Sequence, residues 1–317
     1  MRNINNPKIY IAGHTGMVGS SIIRVLRSKG FTNLIYRKHS DLDLIDQAAV
    51  KDFFLKEKPD QVYLSAAKVG GIQANNVYPA DFLYQNLMIQ TNVIDAAFQN
   101  NVKKLLFLGS SCIYPNNANQ PMREDQLLSG KLEPTNEPYA IAKIAGIKMC
   151  ESYNAQYKRN YISLMPTNTF GSGDNYSLKN SHFIPSILRK IYIAKKNNRS
   201  HINLWGTGKP KREVIHVDDL ASAVVHFMNI KTQHSLINIG SSKEFSIKAY
   251  ANMILKILNI NLKIKFDNNK KYDGVYSKVL DTKIAKKYGW KPNISFDEAI
   301  LNTYKDLEKN YKFIRDK

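Results

Sequence analysis

The chain has 317 residues, of which 43% are hydrophobic and 23% are charged. That length and composition are typical of one large α/β domain, or of a nucleotide-binding domain with a smaller second domain, and they exclude a small disulfide-stabilised scaffold. The 46 Lys and Arg residues outnumber the 26 Asp and Glu residues, which leaves a net charge of +20. Because these positive charges are scattered among Asn and Ile residues and accompany no nucleic-acid-binding motif, we expect no nucleic-acid partner.

The sequence also lacks the patterns that indicate a membrane span, export or metal binding. No apolar stretch approaches the roughly 20 residues that a bilayer requires, and the first residues lack an apolar signal segment. The two cysteines, Cys112 and Cys150, lie far apart and in no spacing typical of a metal site. We therefore predict a cytoplasmic protein with no membrane partner and no metal centre.

From the N-terminus, short apolar runs alternate with longer runs of helical periodicity. We predict strands at 8–13, 33–37, 61–66, 104–110 and 161–166, and helices at 17–30, 45–58, 79–101 and from about Tyr139 onward. Continuously apolar strands separated by helices indicate a parallel sheet that is buried on both faces. The first half is therefore predicted to be a Rossmann-type, doubly wound α/β domain with ligands at the carboxyl ends of its strands.

The regular alternation breaks after Thr169. Residues 170–213 are rich in loop-forming residues around one predicted helix, and another helix follows at 219–229. The remainder contains a helix near 246–258, a strand in the sequence KIKFD and two terminal helices. We predict a Rossmann domain at 1–170, with 214–242 returning to it, and a smaller α/β substrate-binding domain formed by 171–213 and 243–317.

The first strand is followed by a glycine-rich turn with Gly13, Gly16 and Gly19, which opens the first helix. Glycines at this spacing permit a tight turn and let backbone N–H groups approach a pyrophosphate at the helix N-terminus. The second strand ends in Arg37 and Lys38, where a domain that selects NAD usually carries an acidic residue. Cations there suit a 2′-phosphate, so we predict NADPH as the cofactor; the alternative is that both residues only solvate a loop.

A second set of candidate residues follows the fourth strand: Ser110 at its end, with Tyr139 and Lys143 downstream. Tyr and Lys four positions apart on a helix share one face, where the ammonium group favours the phenolate. The same spacing recurs at Tyr192 and Lys196, but no serine at a strand end precedes that pair. We predict that Ser110, Tyr139 and Lys143 are catalytic and that the second pair lies on a helix surface.

On these motifs the chain resembles the extended short-chain dehydrogenase/reductase family and, within it, the GDP-L-fucose synthases. The resemblance covers nearly the whole chain. Its most specific segments are AGHTGMVGS (12–20), SAAKVGGIQANN (65–76), LGSSCIYP (108–115), EPTNEPYAIAKIAGIKMCESYN (133–154), MPTNTFG (165–171), NSHFIP (180–185), WGTGKPKRE (205–213) and HVDDL (216–220). The resemblance implies 3,5-epimerisation of GDP-4-keto-6-deoxy-D-mannose followed by NADPH-dependent reduction at C4.

The resemblance also implies roles for single residues. Tyr139 donates a proton to the C4 oxygen, Lys143 binds the nicotinamide ribose and Ser110 bonds to the carbonyl. Cys112 and His182 match the base and the acid of the epimerisation. The alternative for Cys112 is a small buried residue without a catalytic role, and the alternative for His182 is a structural loop histidine. Dehydratases of this superfamily place an Asp-Glu pair where this chain has Ser111 and Cys112, so a dehydratase is not expected. Cys150 is expected to pack in the core.

The resemblance extends the cofactor and substrate sites. It adds these residues to the predicted cofactor site: Met17, Val18, Asp43, Leu44, Leu108, Lys143, Pro166, Thr167, Asn168, Thr169 and His182. It assigns these to the GDP-sugar: Asn168, Lys190, Trp205, Arg212 and Asp273. Thr15, His39 and Lys190 stand where many family members carry Arg, which weakens the expected preference for NADPH and the grip on the diphosphate. The resemblance also implies a homodimer built from the helices near 79–101 and 139–157.

Three other functions stay open at this point. The same chemistry, or C4 reduction alone, on another GDP-4-keto sugar such as a 6-deoxyheptose requires only changes in the loops at 172–182 or 268–278. A catalytically silent nucleotide-binding protein is a distant alternative, against which the intact catalytic set argues. Nucleic-acid binding through the net charge is the third.

Overall fold

The structure is a computed structural model that describes residues 6–178, 180–270 and 273–313. Within these residues six parallel strands form one sheet, in the order β2-β1-β3-β4-β5-β9. The strands are β1 (Ile9–Ala12), β2 (Leu34–Ile35), β3 (Gln61–Leu64), β4 (Lys104–Leu108), β5 (Asn160–Pro166) and β9 (Leu236–Ile239). The strand order reverses between β1 and β3, which is where a doubly wound sheet opens a ligand cleft at its carboxyl edge.

Helices cover both faces of this sheet. They are α1 (Met17–Ser28), α2 (Gln47–Glu57), α3 (Ile72–Val77), α4 (Pro79–Gln99), α5 (Glu137–Tyr157) and α7 (Val217–Asn229). Tyr10 and Ala12 of β1 pack in the core cluster with α2, α4 and α5, whereas Ile9 and Ile11 pack in the cluster with α1 and α7. Successive strand residues point to opposite faces, so a strand buried on both faces is apolar throughout, as the sequence predicted. The Rossmann-type α/β fold is confirmed.

The rest of the chain forms a smaller α/β layer. Its strands are β6 (Asn168–Phe170), β7 (His201–Leu204), β8 (Lys211–His216), β10 (Glu244–Ser246) and β11 (Lys263–Phe266). Its helices are α6 (Phe183–Lys196), α8 (Ile247–Ile257), α9 (Lys283–Lys287) and α10 (Phe296–Asn310). β8 lies between β6 and β10, β7 pairs with β11, and α6, α8 and α10 enclose a third core cluster. Ala285 of α9 and the nearby Trp290 instead pack beside α7 in the cluster on the six-stranded sheet.

Several element boundaries differ from the predicted ones. β2 has only two residues, and the stretch predicted as loop-rich contains β7 and the first half of β8. Helix α5, which carries the predicted catalytic residues, begins at Glu137, so Tyr139 lies in its first turn. No helix in the described part of the chain is long and apolar enough to cross a membrane.

Candidate active site

The glycine-rich turn between β1 and α1 is tightly packed against its surroundings. Gly13 has a φ of 88°, in the left-handed region, and a Cβ there would lie 2.7 Å from the amide nitrogen of Ala66. A Cβ on Gly19 would collide with the carbonyl oxygen of Gly13. Gly16 caps α1 with its backbone alone and donates a hydrogen bond to the Gly13 oxygen at 3.1 Å. The first N–H groups of α1 therefore face a cradle free of side chains, and this fits a dinucleotide pyrophosphate.

At the end of β2 the side chains are arranged differently from the predicted 2′-phosphate site. Arg37 lines the large cavity of the molecule, but its guanidinium lies 2.5 Å from the Glu57 carboxylate, which also pairs with Lys8 at 2.6 Å. Lys38 is exposed and does not line that cavity, whereas His39 does. The predicted pair of cations is thus reduced to Arg37, whose charge Glu57 partly balances.

Lys143 is held inside the protein beneath the cleft. It is 3% exposed, and its Nζ donates a hydrogen bond to the Leu108 carbonyl at 2.8 Å at the end of β4. The same Nζ lies 5.8 Å from the centroid of the Tyr139 ring. Burial lowers the pKa of Lys143 to about 8. Burial raises the pKa of Tyr139, so this side chain is a protonated phenol at neutral pH and has a proton to donate.

Ser110 and Cys112 share a short turn after β4. The backbone N–H of Cys112 donates to Ser110 Oγ at 3.3 Å, which holds the serine hydroxyl at the start of the 3₁₀ helix Ser111–Ile113. Cys112 is 8% exposed and its thiol is free. Burial raises the pKa of this thiol, while the positive charges of Lys278 and Lys143 act in the opposite direction.

His182 also lines the cavity, at the N-cap of α6. The preceding loop is fixed because the Gly71 N–H donates to the Asn180 carbonyl at 3.2 Å. Desolvation by the cavity walls and the charge of Lys278 lower the pKa of His182, which favours the neutral imidazole. Cys112 and His182 come from different halves of the molecule, and the fold brings them to one cavity.

The predicted substrate residues lie on the smaller layer. Arg212 donates from Nη1 to the Val275 carbonyl at 2.6 Å and from Nη2 to the Asp273 carbonyl at 2.8 Å. The Asp273 carboxylate accepts hydrogen bonds from the Thr207 N–H and hydroxyl, both at 2.8 Å. Lys190 Nζ lies 4.9 Å from the centroid of the Trp205 ring, and 43% of Trp205 is exposed. An exposed indole face beside cations suits a nucleotide base and its diphosphate.

One cavity of about 1010 Å³ connects these parts. It is lined by all the predicted site residues except Lys38, namely Gly13, Gly16, Met17, Val18, Gly19, Arg37, Asp43, Leu44, Leu108, Ser110, Cys112, Tyr139, Lys143, Pro166, Thr167, Asn168, Thr169, His182, Lys190, Trp205, Arg212 and Asp273. Tyr192 and Lys196 do not line this cavity. The Tyr192 ring packs against the ring of Tyr311 beside the third core cluster, and Lys196 Nζ lies over the same Tyr311 ring. Across residues 6–178, 180–270 and 273–313 no cluster of His, Cys, Asp and Glu is suited to hold a metal ion.

Sequence reasoning missed several residues of the cavity. Lys278 is the most consequential, because its charge acts on both Cys112 and His182. No local pattern marks it, since it reaches the cavity only through pairing of its segment with β8. Asn75, Glu133 and Asn136 also line the cavity. They belong to two segments that carried the family resemblance, so a signal for them was present.

A parallel sheet with a glycine-rich turn, and a Ser, Tyr and Lys set beside it, define a dinucleotide-dependent enzyme of the short-chain dehydrogenase/reductase class. Residues 9–240 match the model of the NAD dependent epimerase/dehydratase family, and the chain belongs to that family.

Curated proteins and solved structures resemble it over almost their full length. The GDP-L-fucose synthase of Escherichia coli (strain K12) is 50% identical over 316 residues, which cover 97% of this chain and 98% of that protein. A putative GDP-L-fucose synthase 2 of Arabidopsis thaliana is 51% identical, with coverages of 94% and 90%. The structure of a GDP-mannoheptose C4 reductase from Campylobacter jejuni with NADP bound is 37% identical, has a TM-score of 0.87 and covers 96% of this chain and 99% of that chain. The predicted family is confirmed.

Proposed function

We propose that this chain converts GDP-4-keto-6-deoxy-D-mannose to GDP-L-fucose, by epimerisation at C3 and C5 and NADPH-dependent reduction at C4. The main observation in support of this function is that Cys112 and His182 line the same cavity as Ser110, Tyr139 and Lys143. A plain C4 reductase requires only the last three residues, whereas inversion at two carbons also requires a base and an acid. Full-length relatives named GDP-L-fucose synthase, at 45–51% identity, support the same activity.

The cofactor is NADP(H), in agreement with the family and with the NADP-bound structural relative. The Gly13–Gly19 turn and the N-terminus of α1 would hold the pyrophosphate, Arg37 would bind the 2′-phosphate, and Lys143 and the 166–169 segment, which line the same cavity, would hold the nicotinamide ribose side. NADPH, when bound, supplies the hydride for C4.

The residues at the end of β4 and the start of α5 perform the proton chemistry of the reduction. Ser110 Oγ and the Tyr139 hydroxyl bind the C4 oxygen, and Tyr139 gives its proton as negative charge develops there. The Lys143 ammonium, fixed on the Leu108 carbonyl, favours the phenolate that Tyr139 becomes. The Phe82 ring meets the Tyr139 ring edge to face at a centroid distance of 6.3 Å, which helps to hold the phenol in place.

The same two hydroxyls serve the epimerisation, because the C4 ketone acidifies the neighbouring C–H bonds. Cys112 removes a proton from C3 or C5 on one face, and His182 returns one on the other. Lys278 favours the thiolate of Cys112. The diphosphate of a bound GDP-sugar would add negative charge to the cavity that His182 lines, and negative charge raises the pKa of an imidazole and favours the imidazolium that donates the proton.

The test is incubation of the purified protein with GDP-4-keto-6-deoxy-D-mannose in D₂O, with and without NADPH. We expect deuterium at C3 and C5 and, with NADPH, loss of its absorbance and formation of GDP-L-fucose. Cys112→Ala should abolish the exchange. NADPH oxidation without exchange in the wild type would contradict the epimerase role.

A second candidate is C4 reduction of a GDP-4-keto heptose, which the similarity to the Campylobacter jejuni reductase favours. A panel of GDP-4-keto sugars separates the two functions. A kcat/KM at least tenfold higher for the heptose, without exchange at C3 and C5, would favour the second one.

The domain assignment and the assembly belong to the same proposal. Residues 1–170 with 214–242 bind NADPH, and 171–213 with 243–317 bind the GDP-sugar. The pairing of β9 with β5 supports the return of the chain to the first domain.

The enzyme is a homodimer, supported by apolar residues on the outer faces of the paired helices α4 and α5, where Tyr84 is 59% and Ile141 44% exposed. We also place it in the cytoplasm, because both cysteines are free and Cys112 must remain reduced.

A further inference from the structure

Glu213 is a fully buried carboxylate that takes no part in the mechanism above. It follows Arg212 directly on β8, is 0% exposed and does not line the cavity. Its Oε1 accepts a hydrogen bond from the Ser242 N–H at 2.5 Å, and its Oε2 accepts one from the Leu280 N–H at 2.8 Å. Burying a carboxyl group costs free energy unless it receives hydrogen bonds, so these two contacts are what makes Glu213 tolerable at a buried position.

The two N–H groups belong to different parts of the molecule. Ser242 follows β9, the edge strand of the six-stranded sheet, whereas Leu280 ends a segment that borders the substrate cavity. Gly240 contacts the carboxylate so closely that a Cβ there would collide with it. Glu213 therefore joins the dinucleotide sheet, β8 and the 273–280 segment at one point.

The 273–280 segment runs along the first half of β8, at Lys211 and Glu213. The Lys211 N–H donates to the Tyr276 carbonyl at 2.7 Å, and the Glu213 N–H donates to the Lys278 carbonyl at 3.3 Å. At 3.3 Å the second bond is the longer of the two, and the Glu213 carboxylate secures the chain two residues further on, at Leu280. Glu213 thus holds this stretch at two points, the carbonyl of Lys278 itself and the N–H of Leu280 two residues further on.

The position of Lys278 matters for chemistry because it lines the cavity with Cys112 and His182 and its charge acts on both. Coulombic effects in a partly desolvated site change steeply with distance. A small shift of the segment therefore alters the two groups that move protons during epimerisation, while the glycine-rich turn on the far side of the sheet is left in place.

We propose that Glu213 is a positioning residue, which holds the 273–280 segment to β8 and thereby fixes the Lys278 ammonium relative to Cys112 and His182. This inference rests on the proposed epimerase function. Glu213 does not touch the sugar or the cofactor; it acts through Lys278.

The experiment compares Glu213→Gln with the wild type by deuterium exchange at C3 and C5 of the GDP-4-keto sugar and by the Kd for NADPH. A glutamine turns an NH₂ group towards one of the two backbone N–H groups, so one hydrogen bond is lost. We expect roughly tenfold slower exchange, the size of effect that follows the loss of one buried hydrogen bond, with a Kd for NADPH within about threefold of the wild type. Glu151→Gln, which removes a partly exposed carboxylate paired with Lys148, is the matched control and should change neither.

A double-mutant cycle separates positioning from mere support of the fold. If Glu213 acts through Lys278, Glu213→Gln should slow exchange little further in a Lys278→Gln background. Additive effects, or equal losses in exchange and NADPH binding, would overturn the proposal. Where Glu213→Gln does not fold, Glu213→Asp, which keeps the charge on a shorter side chain, takes its place in the same cycle. Absence of exchange in the wild-type protein would instead refute the proposed function itself.

Discussion

Tyr139 and Tyr192 carry the same Tyr-x-x-x-Lys spacing in different environments. Tyr139 lines the cavity near the buried Lys143, whereas the Tyr192 ring lies 4.3 Å from that of Tyr311, centroid to centroid. Tyr139→Phe removes the proton donor and should lower kcat by about 10²- to 10⁴-fold, with KM changed only a few-fold. Tyr192→Phe is the control and should retain wild-type kcat. Similar rates for the two variants would remove Tyr139 from the reaction.

The charge of Lys143 should appear in the pH dependence of activity. Its pKa is lowered from 10.5 to about 8, so the ammonium is present below about pH 8 and is lost above it. We expect kcat/KM for NADPH to decline above that pH, since this parameter reports groups of the free enzyme. In Lys143→Arg, which stays charged, the residual activity should show no such decline. A profile that is flat to pH 10 in the wild type would contradict the assignment.

Arg37 and Lys38 are neighbours in sequence, and we expect different roles for them. Only Arg37 of the two lines the cavity, although Glu57 partly balances its charge. Arg37→Ala should raise KM for NADPH by about tenfold and leave KM for NADH nearly unchanged, since NADH lacks the 2′-phosphate. Lys38→Ala should change neither value. Equal effects of the two substitutions would indicate a diffuse positive field instead of a specific contact.

At the scale of elements, the turn that opens α1 depends on the absence of side chains. Gly19→Ala forces a methyl group into the Gly13 carbonyl, so the turn and the helix must separate. We expect about 1–3 kcal/mol lower stability, as is typical of overpacking, and a raised Kd for NADPH. Thermal unfolding and cofactor titration measure the two effects. Ser20→Ala, at the next residue of the same helix, is the control. If Gly19→Ala binds NADPH like the wild type, the glycine-rich turn is not the pyrophosphate site.

At the scale of the whole molecule, the proposed dimer depends on the outer faces of α4 and α5. Tyr84→Asp combined with Ile141→Asp places two charges on this apolar surface and should give a monomer in sedimentation, with the wild type dimeric. Leu55→Asp, on α2 and 60% exposed, is the control and should leave the dimer intact. A wild-type monomer would remove the proposal.

The sequence by itself determined the features that arise from local rules. Apolar runs such as that of β1 predict buried parallel strands because both faces of the sheet are covered, and Gly13 and Gly19 stand where only a glycine fits. The Ser110, Tyr139 and Lys143 set was visible because it lies within a short, regular stretch of strand and helix. These predictions required only patterns that are visible along the chain.

The tertiary structure decided whatever depends on residues distant in the chain. The short strand β7 became a strand by pairing with β11, and no periodicity of four residues reveals that. The side chain of Arg37 turned to Glu57, and Lys278 entered the site because its segment pairs with β8. The buried carboxyl group of Glu213 has hydrogen-bond partners only because Ser242 and Leu280 meet it from distant parts of the chain. Such positions follow from hydrogen bonds and charges across the fold, which are set by packing in three dimensions and leave no pattern in the order of the residues.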